Sequence, residues 1–390
     1  MIKENKKICM VVLNDFAHDS RVLREARALA EEGFEVFVIA LYEKHLKKEE
    51  VIDGFKVIRL SLTSRRLLET TGIRVVRCVE FVLRSFWLIR KIQPAFCHCN
   101  DFSTLPIGYL SKKFLKSFLI YDSHELESHQ PPGERRDSKW LCWLIRRLEH
   151  FLIKRADKVI TVSDGIADCL ARQDGIERPL VIRNISEFSI SETEPSGGNH
   201  FGFNRDYKVV IYQGGLHAFR GIKNVIRAMK FLDKNIVLVL IGDGSVRGDL
   251  EREVAELDLK NRVKFTGWVS SQSLLALTQQ SDLGLVPTEN ICLGYYYSLP
   301  NKIFEYIAAG IPLAVSNLPE LEKIIKEYKI GETFNPADPK DIARAIQFVL
   351  QDRSHYQVLK KNVVEARKIL NWDKEKQKLL DLYKNLESKK

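Results

Sequence analysis

The 390-residue chain is poor in several features that commonly announce a function. No apolar run approaches the roughly 18 residues of a membrane-spanning helix. The opening MIKENKK has no apolar core of a signal peptide. Both absences point to a cytoplasmic protein. The seven cysteines are odd in number and lack framework spacing, as expected in a reducing compartment. Cys97-His98-Cys99 has no second ligand pair at zinc-site spacing, so alternation along a strand end explains it better than a metal does. No Asp-x-Asp occurs anywhere, which argues against a diphosphate held through a metal on paired aspartates. The first strand is followed by NDFAHDSR rather than a glycine fingerprint, and Gly242, Gly244 and Gly248 miss the GxGxxG spacing. A nicotinamide dehydrogenase is thereby disfavoured. Neither aromatic-basic interleaving nor a recognition-helix motif is present, so nucleic acid is not expected as a partner.

The apolar fraction of 45% and the charged fraction of 29% are those of a globular protein. The length suits two domains of about 150–200 residues each. The net charge of +10 is uneven: residues 1–185 hold 32 Lys and Arg against 25 Asp and Glu. A basic first half suggests an anionic surface or substrate. Two basic amphipathic segments stand out there. In 73–92, Arg74, Arg77, Arg84 and Lys91 gather on one side of a helical wheel, with Val75, Val79, Val82, Phe86 and Ile89 opposite. Segment 139–155 carries Trp140 and Trp143 with Arg146, Arg147, Lys154 and Arg155. Such faces either lie on anionic lipid or pack on a sheet with their charges solvated.

Along the chain, apolar strands alternate with helices. Strands are expected at 8–13, 36–41, 57–60, 95–98, 118–121 and 159–162, with a helix at 21–32 ended by Gly33. This is the pattern of a doubly wound parallel sheet, whose ligands bind at the carboxyl ends of strands. Asn14-Asp15, Asn100-Asp101 and Asp122-Ser123-His124 fall at such ends. The polar stretch 186–204 reads as a linker. The pattern then restarts, with strands at 209–212, 236–241, 263–266 and 283–286 and helices at 222–231, 248–257 and 272–279. The domains are expected at 1–185 and 205–371, with 372–390 a helix packing back toward the first.

The second half is organised around 298–310, SLPNKIFEYIAAG. Pro300 suits a first helical turn, and Gly310 a left-handed stop before Pro312. The free amides of that turn, with Lys302 beside them, make a phosphate site. Glu305, four residues from Asn301, is placed to accept from the hydroxyls of a ribose. A capped helix with a solvated Glu fits the spacing equally well. In YQGGLHAFRG, Gly214-Gly215 lets backbone approach a ligand, and Arg220 is a natural phosphate clamp.

The succession HDSRVLREARALAEEGFEVFVIA, YDSHE, ADKVITVSDGIADCL with VIRN, YQGGLHAFRGIKNVIRAM, LIGDG, VKFTGWV, SDLGLVP and SLPNKIFEYIAAGIP resembles the retaining family-4 glycosyltransferases. The resemblance covers most of the chain, with the motifs in family order. It implies the GT-B fold: two doubly wound, Rossmann-like domains facing a cleft, the acceptor on the first and a nucleotide-diphosphate sugar on the second. By position, Glu305 resembles the ribose-binding Glu, and Pro300, Asn301 and Lys302 would lie at the diphosphate. Arg220 matches the basic clamp. Asp243 lies in the LIGDG motif on the donor side. Trp268 and Val269 fall where backbone holds the base. His124 matches a His beside the transferred sugar, and Asp19, Arg21 and Asp101 lie on the acceptor side; Arg21 could equally cap its own helix.

Two positions depart from the family pattern. Tyr297 stands where a second Glu reaches the donor sugar, with Glu289 a substitute from a longer loop, and Gly214 stands where an Arg is usual. The mechanism implied is front-face transfer with retention, with no cofactor and no metal. The acceptor would be a glycan or a lipid-linked sugar in surface-polysaccharide or glycolipid synthesis, with the enzyme peripheral on the inner membrane face. A nucleotide-sugar 2-epimerase and a non-catalytic nucleotide-sugar-binding module are the alternatives.

Overall fold

A computed structural model describes residues 6–66, 71–124, 126, 139–187, 201–204 and 206–388. The chain divides into two units, residues 1–184 with 375–390, and residues 185–374. The first runs β1 (Lys7–Val11), α1 (Ser20–Glu31), β2 (Glu35–Leu41), β3 (Glu49–Ile52), β4 (Phe55–Leu60), α2 (Thr71–Ile92), β5 (Phe96–Asn100), α3 (Leu105–Leu115), β6 (Phe118–Ser123), α4 (Lys139–Ile153), β7 (Lys158–Thr161), α5 (Asp164–Asp174) and β8 (Leu180–Val181). Its sheet order is β3-β4-β2-β1-β5-β6-β7-β8, parallel except for the β3–β4 hairpin. That hairpin was not expected from the sequence. Its strand EEVI is half exposed, and Asp53-Gly54 supplies the turn with both residues at positive φ. Strand order reverses at β1/β5, so the loops after β1, β5 and β6 meet at the carboxyl edge.

The second unit runs β9 (Lys208–Gln213), α6 (Ile222–Ala228), β10 (Ile236–Ile241), α7 (Arg247–Glu256), β11 (Val263–Gly267), α8 (Ser271–Gln279), β12 (Leu283–Val286), α9 (Leu293–Tyr296), α10 (Lys302–Ala309), β13 (Leu313–Ser316), α11 (Pro319–Tyr328), β14 (Gly331–Phe334), α12 (Pro339–Leu350) and α13 (Arg353–Ile369). Its parallel order, β11-β10-β9-β12-β13-β14, reverses at β9/β12. Alternate residues of its strands feed two cores. Val210, Tyr212, Leu238 and Leu240 enter one, and Val209, Ile211, Val237 and Val239 the other. Phe201, near the end of the expected linker, is buried in the second of these; residues 188–200 lie outside the described residues.

The last helix, α14 (Trp372–Glu387), returns its apolar stripe to the first unit. Leu379, Leu382, Tyr383 and Leu386 are buried there beside Ile8, Met10 and Leu29. Glu375 accepts from the Arg183 amide at 2.9 Å and so anchors the helix start.

The amphipathic reading of 73–92 needs correction. In α2 the buried stripe is Phe81, Ser85 and Ile89, while Val75 and Val79 are exposed. Arg77 donates to the Ser64 carbonyl. Arg84 pairs with Glu80 at 2.8 Å and donates to Thr63. These two guanidinium groups serve the turn at 63–66 rather than a free basic face. The side chains of Arg74 and Trp140 lie outside the described residues.

Candidate functional sites

In the second unit, the carboxyl ends of β9 and β12 and the start of α10 converge at the reversal of strand order. The loop after β9 is pressed against its neighbours by glycines. Gly214 has φ 124°, and a Cβ on Gly242 would lie 2.1 Å from the Gly214 carbonyl oxygen. Only backbone without side chains lets the β9 and β10 loops meet this closely. The Gly214 position also faces Lys302, whose Nζ would lie 3.4 Å from a Cβ there. An arginine at 214 would therefore meet Lys302, which gives the departure at this position a local reason.

The α10 helix begins at Lys302, with Asn301 as its cap and Gly310 (φ 77°) as its stop. Pro300 stands just before the cap rather than in the first turn, and its carbonyl accepts from the Ile303 amide at 3.2 Å. Lys302 Nζ lies 3.8 Å from the centre of the Tyr212 ring. Burial, reinforced by the charge of Arg220, lowers its ammonium to about 7, against the pull of Glu305. Arg220 itself stacks 5.0 Å over the Tyr295 ring. Two cations thus face each other with too little negative charge to balance them. That is the electrostatic signature of an anion site.

Glu305 sits in the first turn of α10, and Gln213 at the end of β9 donates to it. The Gln213 carboxamide oxygen accepts from Thr278 at 2.8 Å, and its amide donates to the Tyr306 hydroxyl at 3.1 Å. Gln213 is 1% exposed. Neither Gln213 nor the rings of Tyr212 and Tyr295 stood out in the sequence; the one available signal was that Gln213 is a polar residue at a strand's carboxyl end.

Other expected donor-side residues have local work. Asp243 accepts from the Gly244 amide at 2.8 Å and from Arg247 at 3.0 Å, while its own carbonyl accepts from the Leu216 amide. Its carboxylate is thus a loop clip, held below the usual range by the Gly244 amide and Arg247. Trp268 is 74% exposed, and Val269 packs on the core. Tyr297 stacks edge-on against Tyr296 at 4.9 Å. Glu289 is brought to the same loop as Arg220: its amide donates to Phe219, and burial raises its carboxyl against the Gly221 amide. A Cβ on Gly221 would strike the Pro287 carbonyl at 1.8 Å, so the β9 and β12 loops also touch.

The first unit holds a different cluster. Asp19, not Arg21, caps α1, accepting from the Val22 amide at 3.2 Å and from Asn14 at 2.8 Å. Arg21 is 4% exposed and turns inward, donating to both Asp122 oxygens at 2.9 and 3.1 Å and to the Ile182 carbonyl at 2.9 Å. Glu25, one turn on, lies 3.1 Å from the same guanidinium. His124 bridges Asp122 (3.2 Å) and Asp101 (3.4 Å), with Asp101 held at φ 67°. Burial alone would lower the imidazole, but Asp122 and Asp101 raise it to about 9, so it is an imidazolium at neutral pH. Burial raises Glu25 to about 7 despite Arg21. His98, in the Cys97-His98-Cys99 run of β5, is buried and lowered to about 4. Its Nδ1 pairs with the Tyr383 hydroxyl of α14 at 2.8 Å. Glu25, His98 and Asp122 bring ligand atoms within 4.8 Å of one another. Arg21 and the His124 imidazolium together offset the two carboxylates, which leaves little charge to draw in a dication. The sequence offered His124, Arg21 and Asp101, but not Glu25 or Tyr383.

Comparison with known proteins gives these two units a family. Residues 18–184 match the glycosyl transferase 4-like domain, and residues 199–366 match the glycosyl transferases group 1 family. The chain is 27% identical to an uncharacterized glycosyltransferase of Methanocaldococcus jannaschii over 374 residues, 92% of each chain. Sucrose-phosphate synthase from Thermosynechococcus elongatus superposes with a TM-score of 0.83 at 20% identity, covering 98% of this chain and all of that one. HepE of Anabaena, solved in complex with UDP, superposes at 0.76 with 15% identity, covering 97% and 100%. The chain belongs to the group 1 glycosyltransferases of the GT-B fold.

Proposed function

We propose that the protein transfers a sugar, with retention of configuration and without a metal, from a nucleotide-diphosphate donor on the second unit to a glycan or lipid-linked acceptor at the inner face of a membrane. The observation that carries this reading is the under-neutralised pair of Lys302 and Arg220 around Gly214, with Glu305 one turn into α10. A diphosphate supplies the missing negative charge, draws a full proton onto Lys302, and leaves Glu305 to accept from the ribose hydroxyls. HepE, similar in fold, was solved with UDP, in keeping with such an occupant.

Chemistry follows from charge placement. As the bond from C1 to the diphosphate breaks, Lys302 and Arg220 stabilise the growing charge on the leaving group. The acceptor oxygen bonds C1 on the same face, and its proton passes to a diphosphate oxygen. His124, an imidazolium held by two carboxylates, is already protonated and donates a hydrogen bond rather than acting as a base. The test is calorimetry with UDP, GDP, ADP and dTDP sugars in EDTA, coupled to NMR of the product's anomeric configuration. One base binding, with Glu305→Ala costing tenfold or more in affinity, supports the reading. An epimeric sugar formed from donor alone would favour the epimerase, and unchanged affinity in Glu305→Ala would sink the ribose assignment.

A further inference from the structure

Most large apolar side chains of a soluble protein are covered, and their exposed remainder is scattered. In the first unit they are gathered. On α2, Val75, Val79, Leu83 and Trp87 recur every fourth residue and are all exposed, Trp87 by 59%. On α4, Trp143 (58%), Leu144, Leu148 and Phe151 are likewise exposed, and Phe114 of α3 is 61% exposed. The three helices pack side by side, α2 on α3 and α3 on α4. Phe86 of α2 meets Phe114 at 6.0 Å, and Tyr109 of α3 meets Phe151 at 6.0 Å, so the ridges join into one surface.

The charge on this surface has one sign. The three helices carry ten Lys and Arg and only two acids, Glu80 and Glu149. Both acids are used locally. Glu80 accepts from the Thr63 and Ser64 amides at 2.8 and 2.9 Å, and Glu149 is buried, with the Tyr121 hydroxyl donating to it. The cations stand directly beside the exposed rings. Arg90 lies 5.5 Å from the Trp87 ring centre, Arg147 5.0 Å from Trp143, and Lys113 5.6 Å from Phe114. Aromatic bodies with cationic heads at their rims are what a bilayer interface selects. The rings enter the acyl boundary while guanidinium and ammonium groups meet phosphate.

We infer that the α2–α3–α4 face docks on an anionic phospholipid bilayer and inserts Trp87, Phe114 and Trp143. The charge picks the occupant: among the described side chains Arg90, Lys91, Lys113, Arg146 and Arg147 are exposed on these helices while both acids are used locally, and such a surface calls for a dense array of anions. A second copy of this chain would bring the same positive charge. Among the described residues no helix is long and apolar enough to cross a membrane, so attachment by this face is peripheral. The inference rests on the transferase reading only in that it places the enzyme where a lipid-held acceptor lies; the surface stands on the first unit alone.

The experiment is flotation of the full chain with phosphatidylglycerol vesicles and with phosphatidylcholine vesicles, with tryptophan emission recorded in parallel. The expected result is tight binding to the anionic vesicles, a blue shift, and weakening without abolition in 0.5 M NaCl. Trp87→Ser with Trp143→Ser should weaken binding at least tenfold while leaving the melting temperature and nucleotide affinity in place. Any of three results would overturn the inference: no flotation with anionic vesicles, binding without a blue shift that salt removes entirely, or a concentration-dependent dimer lost in the double variant. Nucleotide affinity and donor hydrolysis without vesicles, measured on the same samples, report on the transferase reading separately.

Discussion

The two units hold their charges in opposite ways. In the first, Arg21 is surrounded by Asp122 and Glu25, all three out of solvent, and His124, partly exposed, lies between Asp122 and Asp101. Its cations and carboxylates face one another within the unit. In the second, Lys302 and Arg220 face rings rather than carboxylates, and the lysine has lost most of its hold on a proton. A closed cluster stabilises a fold and positions one residue, His124. An open one stores unfavourable charge, which the proposed diphosphate would relieve. The same chemical groups thus serve architecture in one sheet and, on the proposed reading, recognition in the other.

Breaking the closed cluster should have the largest effect. Arg21→Met leaves Asp122 and Glu25 buried without their shared cation, a loss of about 3–5 kcal/mol. Urea unfolding should show an earlier transition, with nucleotide affinity measured by calorimetry held within twofold. Equal losses of stability and affinity would erase the distinction between the clusters.

Breaking the open cluster should do the reverse. Lys302→Met removes the main diphosphate partner and should cost about 100-fold in donor affinity, roughly 2.7 kcal/mol, while raising the melting temperature of the free protein. The sign follows from the depressed lysine. Between pH 7 and its ordinary 10.5 the unfolded chain binds the extra proton, so Lys302 opposes folding at neutral pH. In the wild type, donor binding draws that proton on. Affinity should therefore be level below pH 7 and fall toward tenfold per unit above it. A flat profile from pH 6 to 9 would refute the charge argument.

His124 sharpens the contrast through pH. Its proton is held more tightly in the folded state, about 9 against an ordinary 6.5, by Asp122 and Asp101 in spite of burial. That stability is fully present below pH 6.5 and lost as pH rises to 9. The difference in unfolding free energy between wild type and His124→Gln should shrink across this window by about 1–2 kcal/mol. Taking the difference cancels Lys302, whose contribution runs the other way. An unchanging difference would mean that the folded protein holds this proton no more tightly than the unfolded chain.

Much of the fold was legible because parallel strands buried on both faces are continuous apolar runs, as Ile236–Ile241 and Leu283–Val286 show. The hairpin strand Glu49–Ile52 escaped because nothing covers it and its sequence is half charged. The second unit's site was legible where its parts are close in sequence, with Lys302, Glu305 and Gly310 all on α10. The first unit's cluster was not. Arg21 and Asp122 are 101 residues apart, and His98 and Tyr383 are 285 apart, so only the folded topology brings them together. Exposure of Val75 and Val79 was hidden for another reason: a helix with an apolar stripe on each side has no single face for the pattern to choose.

The finest test of the open cluster concerns Gln213, which no spacing rule singled out. Its carboxamide is fixed by Thr278 and the chain around it by Tyr306, and it donates to Glu305. It is a positioning residue: it would touch no donor atom itself, but sets where the carboxylate points. In Gln213→Leu, Thr278 keeps the Leu274 carbonyl as a partner at 2.7 Å, so the cost stays local. With Glu305 free to swing, affinity for a ribonucleoside diphosphate should fall about fivefold, the loss of roughly one hydrogen bond, while that for its 2′-deoxy counterpart changes little. A purely structural role for Gln213 predicts the same loss for both nucleotides. The ratio of the two affinities, rather than either alone, therefore decides whether Glu305 reads the ribose.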